Sequence, residues 1–105
     1  MPQVRITVIR KADYKDLQAL YENPIENHCT VKEGQVWLCD GLSCPDGFCE
    51  SAWEIVAPFA KVLSEGGGDF YDGWMKNPYS ALLSCNDGFR PVSFLLEAVK
   101  ETPEE

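Results

Sequence analysis

GLSCPDGFCESAWEIVAPFAKVLSE, residues 41–65, is the stretch on which the fold turns. It joins a cysteine-bearing loop to the only long apolar run in the chain with a helical period. Phe48, Ala52, Ile55 or Val56, Phe59 and Leu63 recur on one face, as in a helix that buries one stripe against a core. Asp46 can cap a helix that starts at Gly47, and that early start keeps Phe48 in the stripe. Ser51 and Glu54 also fit a capping box, which would start it later. Pro58 lies inside the stripe. Proline lacks an N–H and clashes with the carbonyl four residues back, so a kink or a restart is expected there. Gly66-Gly67-Gly68 ends the element.

Around this helix the chain reads as strands. Val4, Ile6 and Val8 alternate with Arg5, Thr7 and Ile9, a period of two in β-branched residues. Asp13 caps a short amphipathic helix, 13–22, with Tyr14, Leu17, Leu20 and Tyr21 on one face; Asn23-Pro24 ends it. Residues 25–30 read as a loop carrying His28 and Cys29. Gln35–Asp40 is a second strand, with Val36 and Leu38 on one side and Trp37 and Cys39 on the other. Ser80–Cys85 and Pro91–Val99 pair through the Asn86-Asp87-Gly88 turn. The order β-α-β-α-β-β predicts an α+β fold, with a mostly antiparallel sheet of about four strands packed on one dominant helix. All 105 residues form a single domain on this reading, and the acidic tail 100–105 is expected to fray.

The composition excludes some functions. Net charge is −8 and the pI near 4.5. That disfavours nucleic acid and anionic membranes, both of which need a basic surface. No stretch approaches the roughly 18 apolar residues of a membrane helix. The first residues show neither the apolar core nor the cleavage site of a secretion signal, so a cytoplasmic location is expected. There, five cysteines are expected as thiols or ligands rather than disulfides.

Two turns share the pattern C-x-D-G-F: Cys44-Pro45-Asp46-Gly47-Phe48 and Cys85-Asn86-Asp87-Gly88-Phe89. Either this is the common chemistry of Asp-Gly turns, or two similar turns face one site. Around them stand Pro45-Asp46-Gly47-Phe48-Cys49-Glu50-Ser51-Ala52-Trp53 and Cys85–Phe94, with Arg90-Pro91-Val92 in the second. Cys29 precedes Lys32-Glu33-Gly34-Gln35, and Gly66–Gly68 precedes Trp74. Over nearly its whole length the chain thereby resembles a family of uncharacterised small prokaryotic proteins with P-x-G-F-C-x-x-A-W and C-x-D-G-x-R-P-V-x-F motifs. The resemblance implies the fold and the location of a site at Cys29, Cys49 and Cys85, and no activity. Cys39 and Cys44 fall outside that pattern.

Cys49 sits in the expected first turn of the main helix, where the helix dipole favours a thiolate. Cys29, Cys49 and Cys85 are candidate ligands for zinc or an iron–sulfur cluster, and His28 adds an imidazole. No C-x-x-C pair is present, and Cys39-x4-Cys44-x4-Cys49 is not a zinc knuckle. The alternative is that the cysteines are small core residues. Arg90 either clamps an anion or pairs with a carboxylate. Trp53, Phe70, Tyr71 and Trp74 either floor a ligand pocket or are core. The loop 69–79, DFYDGWMKNPY, is expected to fold back as a lid with Trp74 as its buried anchor, so that Trp74→Ala would cost about 3–5 kcal/mol.

Three functions follow as expectations. The first is a Cys-lined site that binds a metal or small molecule. The second is a thiol-dependent or redox enzyme with Cys49 as the reacting group, Arg90 holding an anionic substrate and Cys85 or Cys29 resolving. The third is a protein-interaction module that presents the 69–79 aromatic loop.

Overall fold

The computed structural model describes residues 3–24 and 31–99. Cys29, His28 and the tail 100–105 lie outside the described residues. The elements are β1 (Gln3–Lys11), α1 (Lys15–Tyr21), β2 (Val36–Cys39), α2 (Glu50–Ser64), β3 (Ser80–Ser84) and β4 (Val92–Val99). The strands form one sheet in the order β2-β1-β4-β3, with each neighbouring pair antiparallel. The α+β class and the order of elements are those expected. The chain passes from one sheet edge, β2, to the other, β3, and α2 makes that crossing over one face.

Alternation in the strands decides which face α2 covers. Val4, Ile6 and Val8, then Trp37 and Cys39, then Val92, Phe94 and Leu96 all point to the helix and are buried. From α2 come Ala52, Val56, Ala60 and Leu63. Burying each large apolar side chain contributes roughly 1.5–3 kcal/mol, so this layer is the main source of stability. The stripe differs from expectation at one place. Ala60 takes the central position, and Phe59 is turned half-buried towards the 69–79 loop.

The helix also starts later than Gly47. Phe48 N–H bonds the Pro45 carbonyl at 3.1 Å, closing a tight turn with Gly47 at φ 80. A positive φ at the third turn position is what a type II turn demands and what a helix forbids. So Cys49 is the N-cap, without a side-chain cap bond, and Asp46 does not cap. Phe48 stays in the core, but ahead of the helix. Pro58 causes no restart, and α2 runs unbroken to Ser64. Its end is a Schellman motif: Gly67 N–H bonds Val62 O at 2.9 Å and Gly66 N–H bonds Leu63 O at 3.1 Å.

The short helix α1 buries no residue, contrary to its amphipathic pattern. Tyr14, Leu20 and Tyr21 are exposed. Asp13 does not cap it either: Tyr14 is the boundary residue, and the Asp13 carboxylate accepts from the Gln18 amide instead. The helix is held to the β3–β4 connection, through Tyr14 N–H to Phe89 O at 2.9 Å, rather than to the sheet. On the sheet face away from α2, Arg5 and Glu97 pair across β1 and β4 at 3.0 Å. Such a part-exposed pair contributes below about 1 kcal/mol. Among the described residues no helix is long and apolar enough to cross a membrane.

Candidate functional site

The loop 69–79 is built to hold a shape. Asp69 N–H bonds Pro78 O at 2.6 Å and closes the loop mouth. The Asp69 carboxylate accepts Gly73 N–H at 2.9 Å, and Asn77 Oδ1 accepts Tyr79 N–H at 3.0 Å. Asp69, Tyr71 and Asp72 all adopt left-handed backbone, with φ of 54, 55 and 56. Aspartate tolerates this region, but a bulky side chain such as tyrosine does so at a cost of about 1–2 kcal/mol.

A row of rings runs outward from the helix. Phe70 is half-buried on Phe59 with centroids 5.0 Å apart. Tyr71 lies 6.4 Å from Phe59, and Trp74 meets Tyr71 edge to face at 5.2 Å and 79°. Phe70, not Trp74, is the anchor. Trp74 is 43% exposed and Tyr71 73% exposed. The loop does fold back onto α2, but Trp74 is not its buried anchor, because Phe59 is turned off the core stripe and offers its ring to Phe70, the residue next to the loop mouth. Trp74→Ala should therefore lower stability by only about 0.5–1.5 kcal/mol, the worth of one aromatic pair, in a denaturant titration.

Of the three thiols of the expected site, Cys49 and Cys85 are among the described residues and Cys29 is not. Cys49 is exposed at the N-cap of α2. Cys85 is half-buried just after the edge strand β3, and its Sγ accepts Val92 N–H at 3.4 Å. The Cys44 sulfur lies 3.7 Å from the carbonyl oxygen of Phe48, the residue before Cys49. Burial pushes the Cys44 thiol pKa up, and the charges of Glu50, Cys49 and Asp46 add to this. Cys39 is buried at the end of β2. Burial pushes its pKa up, a hydrogen bond from the Gly41 backbone opposes this, and Asp40 and Cys44 add to the rise. Among the described residues no three Cys, His, Asp or Glu side chains are grouped to hold a metal ion.

The two Asp-Gly turns prove to be built differently. The first is the Gly47 turn. In the second, the Asp87 carboxylate accepts the N–H groups of Phe89 at 2.8 Å and Arg90 at 3.2 Å, and Gly88 has no positive φ. Arg90 is engaged: Nη1 donates to both Glu22 oxygens at 2.9 and 3.0 Å, and Nη2 to Gln18 Oε1 at 2.8 Å. Its guanidinium ties α1 to the β3–β4 connection, beside an open cleft of about 490 Å³. Trp53 is half-buried in the first turn of α2, with its ring edge to face on Phe48 at 6.2 Å.

The sequence matches no protein-family model, and no curated protein or solved structure matches it. The candidate site therefore rests on its geometry: a hydrogen-bonded aromatic loop on which the Tyr71, Trp74 and Tyr79 rings are exposed, and two thiols, Cys44 and Cys49, on either side of the Gly47 turn.

Proposed function

We propose that this domain is a protein-interaction module, that loop 69–79 is its docking element, and that the partner presents a basic segment. The observation that carries this is Tyr71, held at φ 55 with its ring 73% exposed and stacked edge to face on Trp74. Backbone strain persists only where the surroundings impose it, and here it displays an aromatic ring instead of burying one. Tyrosine and tryptophan are the residues on which binding energy concentrates. A loop already fixed by its own hydrogen bonds loses little entropy when a partner docks.

Charge supplies the partner's chemistry. The chain carries −8. Asp69 precedes Tyr71 and Asp72 stands between Tyr71 and Trp74 in the sequence, and only Lys76 opposes their charge within the loop. Guanidinium and ammonium groups are attracted both by the carboxylates and by the ring faces. A basic peptide is drawn in by the first and held by the second.

The test uses hexa-arginine peptide as the probe, titrated into the full chain at low ionic strength. Binding should weaken by about tenfold or more in Tyr71→Ala, which corresponds to at least about 1.4 kcal/mol. Equal affinity in Tyr71→Ala would show that net charge alone attracts the peptide and would overturn the docking role.

A further inference from the structure

A second observation, independent of the loop, concerns the turn before α2. Pro45–Phe48 closes on a 3.1 Å hydrogen bond with Gly47 at φ 80. Cys44 immediately precedes that turn and Cys49 immediately follows it. The Cys44 sulfur lies 3.6 Å from Pro45 O and 3.7 Å from Phe48 O. Phe48 O is on the peptide that joins Phe48 to Cys49, and a carbonyl oxygen sits about 2.8 Å from the next Cα. The Cys44 sulfur is thus within about 6.5 Å of the Cys49 Cα, a separation that rotation of both side chains must shorten before an S–S bond of about 2 Å can form.

The two thiols differ in access. Cys49 is exposed, and its backbone is extended at φ −68 and ψ 121, so it is not locked into the helix. Cys44 is half-buried and lines an open cleft of about 450 Å³ together with Trp37, Cys39, Asp40 and Asp46. Cys49 is the more exposed of the two, so an outside reagent meets it first.

We propose that Cys44 and Cys49 form a reversible redox pair, oxidised to an intramolecular disulfide by low-molecular-weight disulfides such as oxidised glutathione. The Cys49 thiolate attacks one sulfur of oxidised glutathione, the glutathione S–S bond breaks, and one glutathione thiolate leaves. Cys49 then carries a mixed disulfide. Cys44 gives its proton to solvent and attacks the Cys49 sulfur, and the second glutathione thiolate leaves. The two protons lost by the protein thiols end on the two glutathiones. Two protein thiols are oxidised and one glutathione disulfide is reduced to two thiols. The product closes a ring over the Gly47 turn and pins the start of α2.

The test equilibrates the reduced full chain with glutathione buffers, quenches by acid and reads intact mass and peptide maps. The oxidised chain should lose about 2 Da, the two hydrogens of one new S–S bond. Cleavage before Asp46, which lies between the two cysteines, should leave fragments joined only through Cys44 and Cys49. In Cys44→Ser the reaction should stop at the first step, with at least about tenfold more glutathione retained on Cys49 than in the unaltered chain. A map of the unaltered chain that shows Cys49 bound stably to glutathione, or joined to Cys39 or Cys85, would overturn the pair. Hexa-arginine binding is expected to be the same in reduced Cys44→Ser and the unaltered chain, so failure here leaves the loop reading standing, and the reverse.

Discussion

Gly41→Ala is expected to destabilise the domain by about 3–5 kcal/mol. Gly41 follows β2 and lies directly under the last turn of α2. A Cβ there would sit 2.6 Å from the Ser64 Cβ and 2.7 Å from the Ala60 carbonyl oxygen. Neither neighbour is the free end of a flexible side chain, so the helix itself would have to lift from the sheet. Gly41 also holds φ 82, a conformation that alanine adopts with strain. The two penalties act together because relief of one moves the chain further into the other. A typical domain has only 5–15 kcal/mol in total, so the variant should unfold far earlier in urea. Ser64 donates to Lys61 O at 2.7 Å and so stays on the helix side of this contact. A variant with an unchanged urea midpoint would mean that α2 does not seat on Gly41.

Phe48→Ala should cost about as much, 3–5 kcal/mol, by the cavity it leaves. Phe48 is 6% exposed and joins three aromatic neighbours. Its ring meets Trp37 edge to face at 4.8 Å, Phe94 at 5.2 Å and Trp53 at 6.2 Å. Those partners come from β2, β4 and α2, so this one ring links the helix to both a central and an edge strand. Removal exposes part of Trp37 to the space beneath the Gly47 turn, and a shift in tryptophan emission should accompany the lower midpoint. Phe48→Leu, which keeps much of the volume, should recover roughly half of the loss.

The sequence shows most of the fold because period carries it. Val4, Ile6 and Val8 can be buried on one side only as a strand, and Trp37 and Cys39 take the same side for the same reason. Where two local signals compete, the pattern is ambiguous. At the start of α2 the stripe favours Gly47, whereas the turn's need for a positive φ at Gly47 excludes it. At α1 the apolar spacing is real, but seven residues tied at their N-terminal end and through Arg90 to the β3–β4 connection never reach the core.

The candidate site is less legible, for a related reason. Apolar content in the 69–79 loop argues for burial of Trp74, yet one partner, Phe59, is enough to anchor the loop through Phe70 and leave Tyr71 and Trp74 outside. The signal present in the sequence is Tyr71-Asp72-Gly73, turn residues that place an aromatic where the backbone reverses. Cys44 stands outside the motif pattern that points to Cys29, Cys49 and Cys85. Its pairing with Cys49 depends on the closure of the Pro45–Phe48 turn, which spacing alone does not show.

The most direct measurement of the docking role follows the three tryptophan indole N–H signals by nuclear magnetic resonance while hexa-arginine is added. Trp37 is buried against Phe48, Trp53 is half-buried on the same ring, and Trp74 alone stands in the loop. The expected result is a saturable shift of the Trp74 signal, with Trp37 and Trp53 unmoved, and loss of that shift in Tyr71→Ala. A Trp74 signal that stays in place while the peptide binds, or equal small shifts of all three, would contradict the role assigned to the loop.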